Sequence, residues 1–477
     1  MDEDRFSLTD KKPISVVSAV QRTKVLEDSK CELITKVYGR RWFILILYIV
    51  HASLITGQWI EYSIISNIVQ RYYNVSALAV DCTSMIMMLF YAIFIFPLTY
   101  VTGRLGLRRS IILGSGLCCL GSWIKIFSVS PDGFLITLLG QAVVSLALIV
   151  MLPMPGQVSA NWFGANEQST ATSLGVFGSQ LGVSIWFLLP PIIVKNHDDI
   201  KLIGHDLLFM FWIFAIASSI IFVLIIVFFQ NEPKLPPSKT RALQKTKKQE
   251  ASEGFIGPMK RMLTNKSYLL LCNSYGLNVG ILNTMATLLN SLYLIHFKNG
   301  EEDAGRIGLL IVLTGMFGSI AFGIILDKTQ KFKLTTVIVY FLSLCGQVLF
   351  AIALLMEVKW MVYAASIFLG FFMSGYLALG YEMAAEYTYP ETESNSAGIL
   401  NLTNNIYGVV LVLILEVVLE HYGDAPVHII FCLALLIGFV LTVMTKDEHR
   451  RQDARKAGTL YHSVPQEDNN VTIKNIS

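Results

Sequence analysis

The chain has 477 residues, 54% of them hydrophobic and only 15% charged, with a mean hydropathy of +0.57. Soluble domains carry about 25% charged residues, so the composition excludes a soluble globular protein and points to an all-α integral membrane protein. A formal net charge of +3 says little alone, because in such proteins the placement of Lys and Arg matters more than their sum.

In chain order, the segment up to Arg40 is polar and mixed in charge, which predicts no cleavable signal peptide and a cytoplasmic tail over 1–42. Crossing a bilayer takes about 20 apolar residues. Twelve such runs follow, at 43–66, 82–102, 109–130, 134–158, 169–194, 206–229, 267–293, 305–326, 334–355, 360–384, 396–419 and 427–445, numbered here as spans 1 to 12. A linker over 230–266, with nine Lys/Arg against three acids and two adjacent prolines, divides them into halves at 43–229 and 267–445. A cytoplasmic tail is expected over 446–477. The loops after spans 2, 6 and 8 hold fourteen Lys/Arg, and the six loops on the other side hold five. By the positive-inside rule both termini and the linker are cytoplasmic.

The halves repeat each other at a nearly constant offset. GRLGLRR beginning at Gly103 corresponds to DKTQKFK beginning at Asp327, and NWFGANEQSTA parallels EYTYPETESNSA with Phe163 matching Tyr389. Two parallel six-helix repeats joined by a basic linker are the signature of the major facilitator architecture, with 12 transmembrane helices in two pseudo-symmetric halves and the substrate near the midplane between them.

Span 1 contains QWIEYSIISN, residues 58–67. Polar groups in hydrocarbon cost free energy unless partnered, so this stretch is expected to face a central cavity. Trp59, Ser63 and Ser66 fall at i, i+4 and i+7 and share one helical stripe. In span 7, Gly276, Gly280, Asn283, Thr287 and Asn290 form a second stripe, and Asn283 follows Trp59 by the same offset that separates Asp327 from Gly103. Glu61 falls off the Trp59 stripe, and both a neighbouring helix and a substrate or proton role stand as readings for it. Further polar residues in the spans are Gln180, Asn401, Thr403, Asn404 and Asn405, whereas Gly175, Gly178 and Gly182 read as packing. Arg108 and Asp327, in matching loops, and Glu386, near the end of span 10, are the candidate gating residues.

No HExxH, GxSxG or paired intramembrane aspartates are present, which argues against an enzyme. Six of the seven cysteines lie in or beside apolar runs without metal-ligand spacing, so neither disulfides nor a metal site is expected. Of eight histidines, His51 alone is expected within a helix, with His197, His205, His296, His421 and His428 at the outer face. The sequon at Asn74 lies on that face too.

QWIEYSIISN, LGSGLCCLGSWIK, WFGANEQSTA, GEEDAGRIGLLIVLTGMFGSI and LGFFMSGYLALGYEMAAEYTYPE together resemble the feline leukaemia virus subgroup C receptor family of major facilitators, over all twelve spans. The resemblance implies a downhill facilitator for choline, and in some members ethanolamine, recognised by aromatic faces through cation-π attraction. Members were earlier described as haem exporters. The family's span-1 tryptophan falls on Trp59; its span-7 tyrosine falls on Asn283, its span-4 glutamine on Leu148 and its span-11 glutamine on Asn405. Members tend to carry glutamine at Glu61. A choline-type cage then has to be rebuilt here, with Tyr62 or Tyr407. The expected partners are a choline-like amine and the lipid bilayer, with no cofactor, no nucleic acid and a monomeric state at the plasma membrane. A haem exporter and a transport-dead receptor or scaffold are the alternative readings.

Overall fold

The structure is a computed structural model that describes residues 36–164, 167–233, 235–237, 256–329, 331–389, 391, 393–447 and 450. Among them the N-terminal half comprises α1 Arg40–Gly57, α2 Ser66–Tyr73, α3 Ala77–Leu105, α4 Leu107–Ile126, α5 Phe134–Met151, α6 Met154–Trp162, α7 Gln168–Ile193 and α8 Ile200–Phe228. A short helix α9, Ile256–Thr264, lies in the linker. The C-terminal half comprises α10 Lys266–His296, α11 Glu301–Thr329, α12 Phe332–Leu355, α13 Lys359–Met373, α14 Tyr376–Thr388, α15 Glu393–Tyr422 and α16 Asp424–Met444.

Among the described residues, eleven helices are long and apolar enough to cross a membrane. The remaining span, α4, carries Arg108, Arg109 and Lys125 and packs between α5 and α8. Large apolar side chains such as Leu135, Phe209, Val227 and Phe317 remain exposed on the outside of the bundle, where lipid covers them in a membrane protein.

Among the described residues, three spans are broken. Span 4 divides into α5 and α6 at 152–153, and span 10 into α13 and α14 at 374–375. These two occupy matching places in the repeat, and Pro153 supplies one cause of the first break, since it lacks an N–H and cannot continue a helix. Span 1 divides between α1 and α2 at 58–65, whereas its counterpart α10 runs unbroken for 31 residues. The predicted stripe of Trp59, Ser63 and Ser66 therefore does not form. Residues 58–62 are turns and Ser63–Ile65 a 3-10 turn, so the regular helical step that aligns i, i+4 and i+7 is lost.

The halves meet along two helix pairs, α3 on α15 and α7 on α11, and α10 also packs on the 3-10 turn. Gly178 and Gly182 bring α7 against Ile49 and Ser53 of α1, and Ser53 donates to the Gly178 carbonyl at 2.7 Å.

Candidate functional site

The break in span 1 leaves carbonyls without intrahelical donors, which in a dry interior costs several kcal/mol each unless satisfied. Side chains from three other helices satisfy them. Gln141 of α5 donates to the Gln58 carbonyl at 2.9 Å, Ser84 of α3 to the Trp59 carbonyl at 3.0 Å, and Asn290 of α10 to the Ile64 carbonyl at 2.8 Å. Gly57, the last residue of α1, lies where a Cβ would fall within the indole of Trp186.

Glu61 lies inside the N-terminal half, paired with Lys125 of α4, and both side chains are essentially unexposed. Lys125 also donates to Gln58 Oε1 at 2.8 Å and sits 5.5 Å from the Tyr62 ring centroid. Of the two readings kept open for Glu61, the neighbouring helix is the one the structure shows. Tyr62 is fully buried against Phe211 and does not line the cavity. Residues 60–66 are all buried, and Ser63–Ile65 pack on α10 of the other half. The polar stretch thus serves two purposes: Trp59 alone faces the centre, and its neighbours hold the broken chain in place.

Trp59 opens onto a cavity of about 230 Å³ between the halves. Leu148, Asn283 and Asn405 line the same cavity, together with Gln180, Asn401 and Asn404. The four positions matched through the family resemblance therefore surround one space. Tyr407 does not line it: its ring covers Gly276 and its Cβ lies against Gly280 of α10, and its hydroxyl donates to Asn273 at 2.8 Å. The span-7 stripe divides accordingly. Gly276 and Gly280 admit α15, Asn283 faces the cavity, and Asn290 holds span 1.

Aromatic walls not anticipated from the sequence come from Tyr91, Phe187 and Tyr381, and Met87 and Met88 add polarisable sulfur. Met87, Met88 and Tyr91 form an i, i+1, i+4 patch in α3 that also reads as ordinary core, so the pattern alone does not single them out. Tyr381 donates to Asn401 Oδ1 at 2.9 Å, which fixes its ring. Among the described residues, none that lines it carries a formal charge and none is histidine.

At the end away from the termini, called here the far end, the halves are tied together. Asn67 donates to Glu301 at 2.8 Å, Asn196 to Glu301 at 3.2 Å, and Lys195 pairs with Glu302 at 2.5 Å. A smaller cavity lined by Tyr91, Thr99, Met262 and Asn401 continues the main one toward the linker end. The site is closed at the far end and extends toward the linker.

Among the gating candidates, Arg108 donates to the Ile226 carbonyl of its own half at 3.1 Å and through its backbone N–H to Asn231, at the start of the linker, at 3.2 Å. Asp327 lies in the last turns of α11, and its side chain falls outside the described residues. Glu386 is buried in α14.

One part of the histidine expectation needs correction, since His51 is not alone within a helix. His428 is buried inside α16, His205 lies within α8 and His421 within α15. His296 lies 2.7 Å from Asp424, and His197 lies 2.9 Å from Asp206. Among the described residues, no three His, Cys, Asp or Glu gather as a metal site.

The family model described as Major Facilitator Superfamily matches residues 44–355. The chain is 41% identical over 445 residues to the choline/ethanolamine transporter flvcr2a of Danio rerio, covering 93% of this chain and 94% of that one. It is 38% identical to the choline/ethanolamine transporter FLVCR2 of Homo sapiens, covering 91% and 82%, and 38% identical to the choline/ethanolamine transporter FLVCR1 of Felis catus, covering 88% and 75%. Among solved structures the fold is similar to a D-xylose-proton symporter, with a TM-score of 0.64 at 13% identity over 86% of this chain and 98% of that one.

Proposed function

The chain belongs to the Major Facilitator Superfamily, within the feline leukaemia virus subgroup C receptor family, and from that premise we propose that this multi-pass transporter carries choline, and also ethanolamine, downhill by alternating access. The observation that carries the reading is the uncharged cavity faced by Trp59. A cation there is surrounded by the rings of Trp59, Tyr91 and Tyr381 and the amides of Asn283 and Asn405, with no carboxylate among the described lining residues to hold it fast. Cation-π attraction is worth about 2 kcal/mol once water is excluded. Such binding is strong enough to select a small amine and weak enough to release it, as a facilitator requires.

The cavity volume also bears on size. Clefts for drug-sized ligands run roughly 300–1,000 Å³, so about 230 Å³ suits a small amine better than a porphyrin. Asn283 stands where the resemblance puts a tyrosine, and an amide offers a donor and an acceptor where a ring offers a π face. Quaternary selectivity is accordingly weakened. The far-end ties through Asn67, Glu301 and Glu302 form the gate that must open for loading from that side, with the linker end cytoplasmic, the protein in the plasma membrane, and a single chain as the working unit.

The test is uptake of labelled choline and labelled ethanolamine by cells expressing the chain, each in competition with the other unlabelled amine. Both fluxes are expected to exceed those of control cells, with mutual competition. Normal surface expression without either flux sinks the reading.

A further inference from the structure

A second polar feature lies outside the cavity, on the seam between the halves. Asp81 of α3 and Glu416 of α15 approach across the packed α3–α15 interface, each buried, with 1% and 4% of its surface exposed. Among the described residues, neither Asp81 oxygen has a donor, and Glu416 Oε2 has none. The two carboxyl groups face each other closely enough to hydrogen-bond once one of them carries a proton.

Two ionised carboxylates in contact in a dry environment repel strongly, and the usual resolution is one shared proton. Among the described residues, Glu416 is the charged group that acts on Asp81, and Asp81 and Glu420 are those that act on Glu416; Cys82 is the other titratable side chain beside Asp81. None of these is a cation that could neutralise the pair. Met87 and Met88, which line the cavity, lie six and seven positions further along α3, about 10 Å at roughly 1.5 Å per residue. The pair therefore lies between the cavity and the far end, on an interface that must part when the far end opens.

We propose that Asp81 and Glu416 form a proton-binding site between the halves, occupied by one shared proton while the far end is closed and emptied to water when α3 and α15 separate. The O–H···O bridge breaks on separation, the proton passes to water, and both groups become hydrated carboxylates. By linkage, the state that binds the proton more tightly gains stability as pH falls. Acid therefore favours the far-end-closed state, and raising the pH favours opening. The inference rests on the alternating-access part of the reading above and not on the substrate.

The experiment uses the purified full-length chain without substrate, its native cysteines replaced, with spin labels on Asp132→Cys and Tyr422→Cys. Both positions are exposed, at the far ends of opposite halves. The long-distance population is expected to rise at least about fivefold between roughly pH 5.5 and pH 8.5. Asp81→Asn and Glu416→Gln, each able to hydrogen-bond the remaining carboxylate at any pH, should hold the short distance and flatten the response. Asp81→Glu, which keeps two carboxyl groups, should retain it and shows that the labelled protein still moves. A pH-independent distribution in the unsubstituted pair, or an unchanged pH response in both neutral variants, overturns the proposal. Because no amine is present, a failed choline assay leaves this result untouched.

Discussion

Spans 1 and 7 hold equivalent places in the two halves, and they are built on opposite plans. Span 7 is one continuous helix, α10, whose small residues let another helix approach and whose one cavity-facing amide is Asn283. Span 1 is broken at 58–65, and side chains of α3, α5 and α10 satisfy the freed carbonyls while a buried Lys125–Glu61 pair anchors the turn. Spans 4 and 10, by contrast, are broken alike. A repeat can therefore conserve the position of a helix without conserving its internal form. In span 1 the irregular backbone lets Trp59 face the cavity while Tyr62, a little further along the turn, lies buried against Phe211 on the opposite side.

The contrast is broken most severely at Lys125. Lys125→Met leaves the Glu61 carboxylate buried without its cation, a change that costs roughly 3–5 kcal/mol. The thermal midpoint of the purified protein is expected to fall by many degrees, and Lys125→Met with Glu61→Leu should recover most of the loss. In span 7, Asn283→Ala should leave the midpoint nearly unchanged, because Asn283 faces the cavity. Equal midpoints for Lys125→Met and Asn283→Ala would remove the distinction between a broken span anchored by a buried ion pair and a continuous one.

A smaller effect is expected on transport. Trp59→Ala removes a contact worth about 2 kcal/mol, so choline uptake below saturation should fall by about thirtyfold at unchanged surface expression, with Trp59→Phe keeping part of it. Normal uptake by the alanine variant would mean that span 1 presents nothing the substrate needs.

The smallest change sharpens the comparison from the other side. Asn283→Tyr restores a ring to span 7 and should raise choline uptake by a few-fold, while Leu148→Gln added to it should raise ethanolamine uptake, both read against a common labelled amine. Complete loss of transport in Asn283→Tyr with the protein still in the membrane would point to a substrate too large for a ringed pocket.

What the sequence by itself determined follows from the fact that hydrophobicity and repetition are linear properties. Apolar runs long enough to span a bilayer, basic loops at alternate turns and a repeat that carries Gly103 onto Asp327 read out the two-half architecture directly, and the same offset paired Trp59 with Asn283 in one cavity. The partner of Glu61, the loss of the Ser63 and Ser66 stripe, the aromatic walls of Tyr91 and Tyr381 and the seam pair Asp81–Glu416 were decided only in three dimensions. Each depends on which side chains of distant helices meet. A helix break in particular is set by donors outside the helix: Gln141, Ser84 and Asn290 reach the Gln58, Trp59 and Ile64 carbonyls from three other spans, and nothing local to QWIEYSIISN specifies that they will be there.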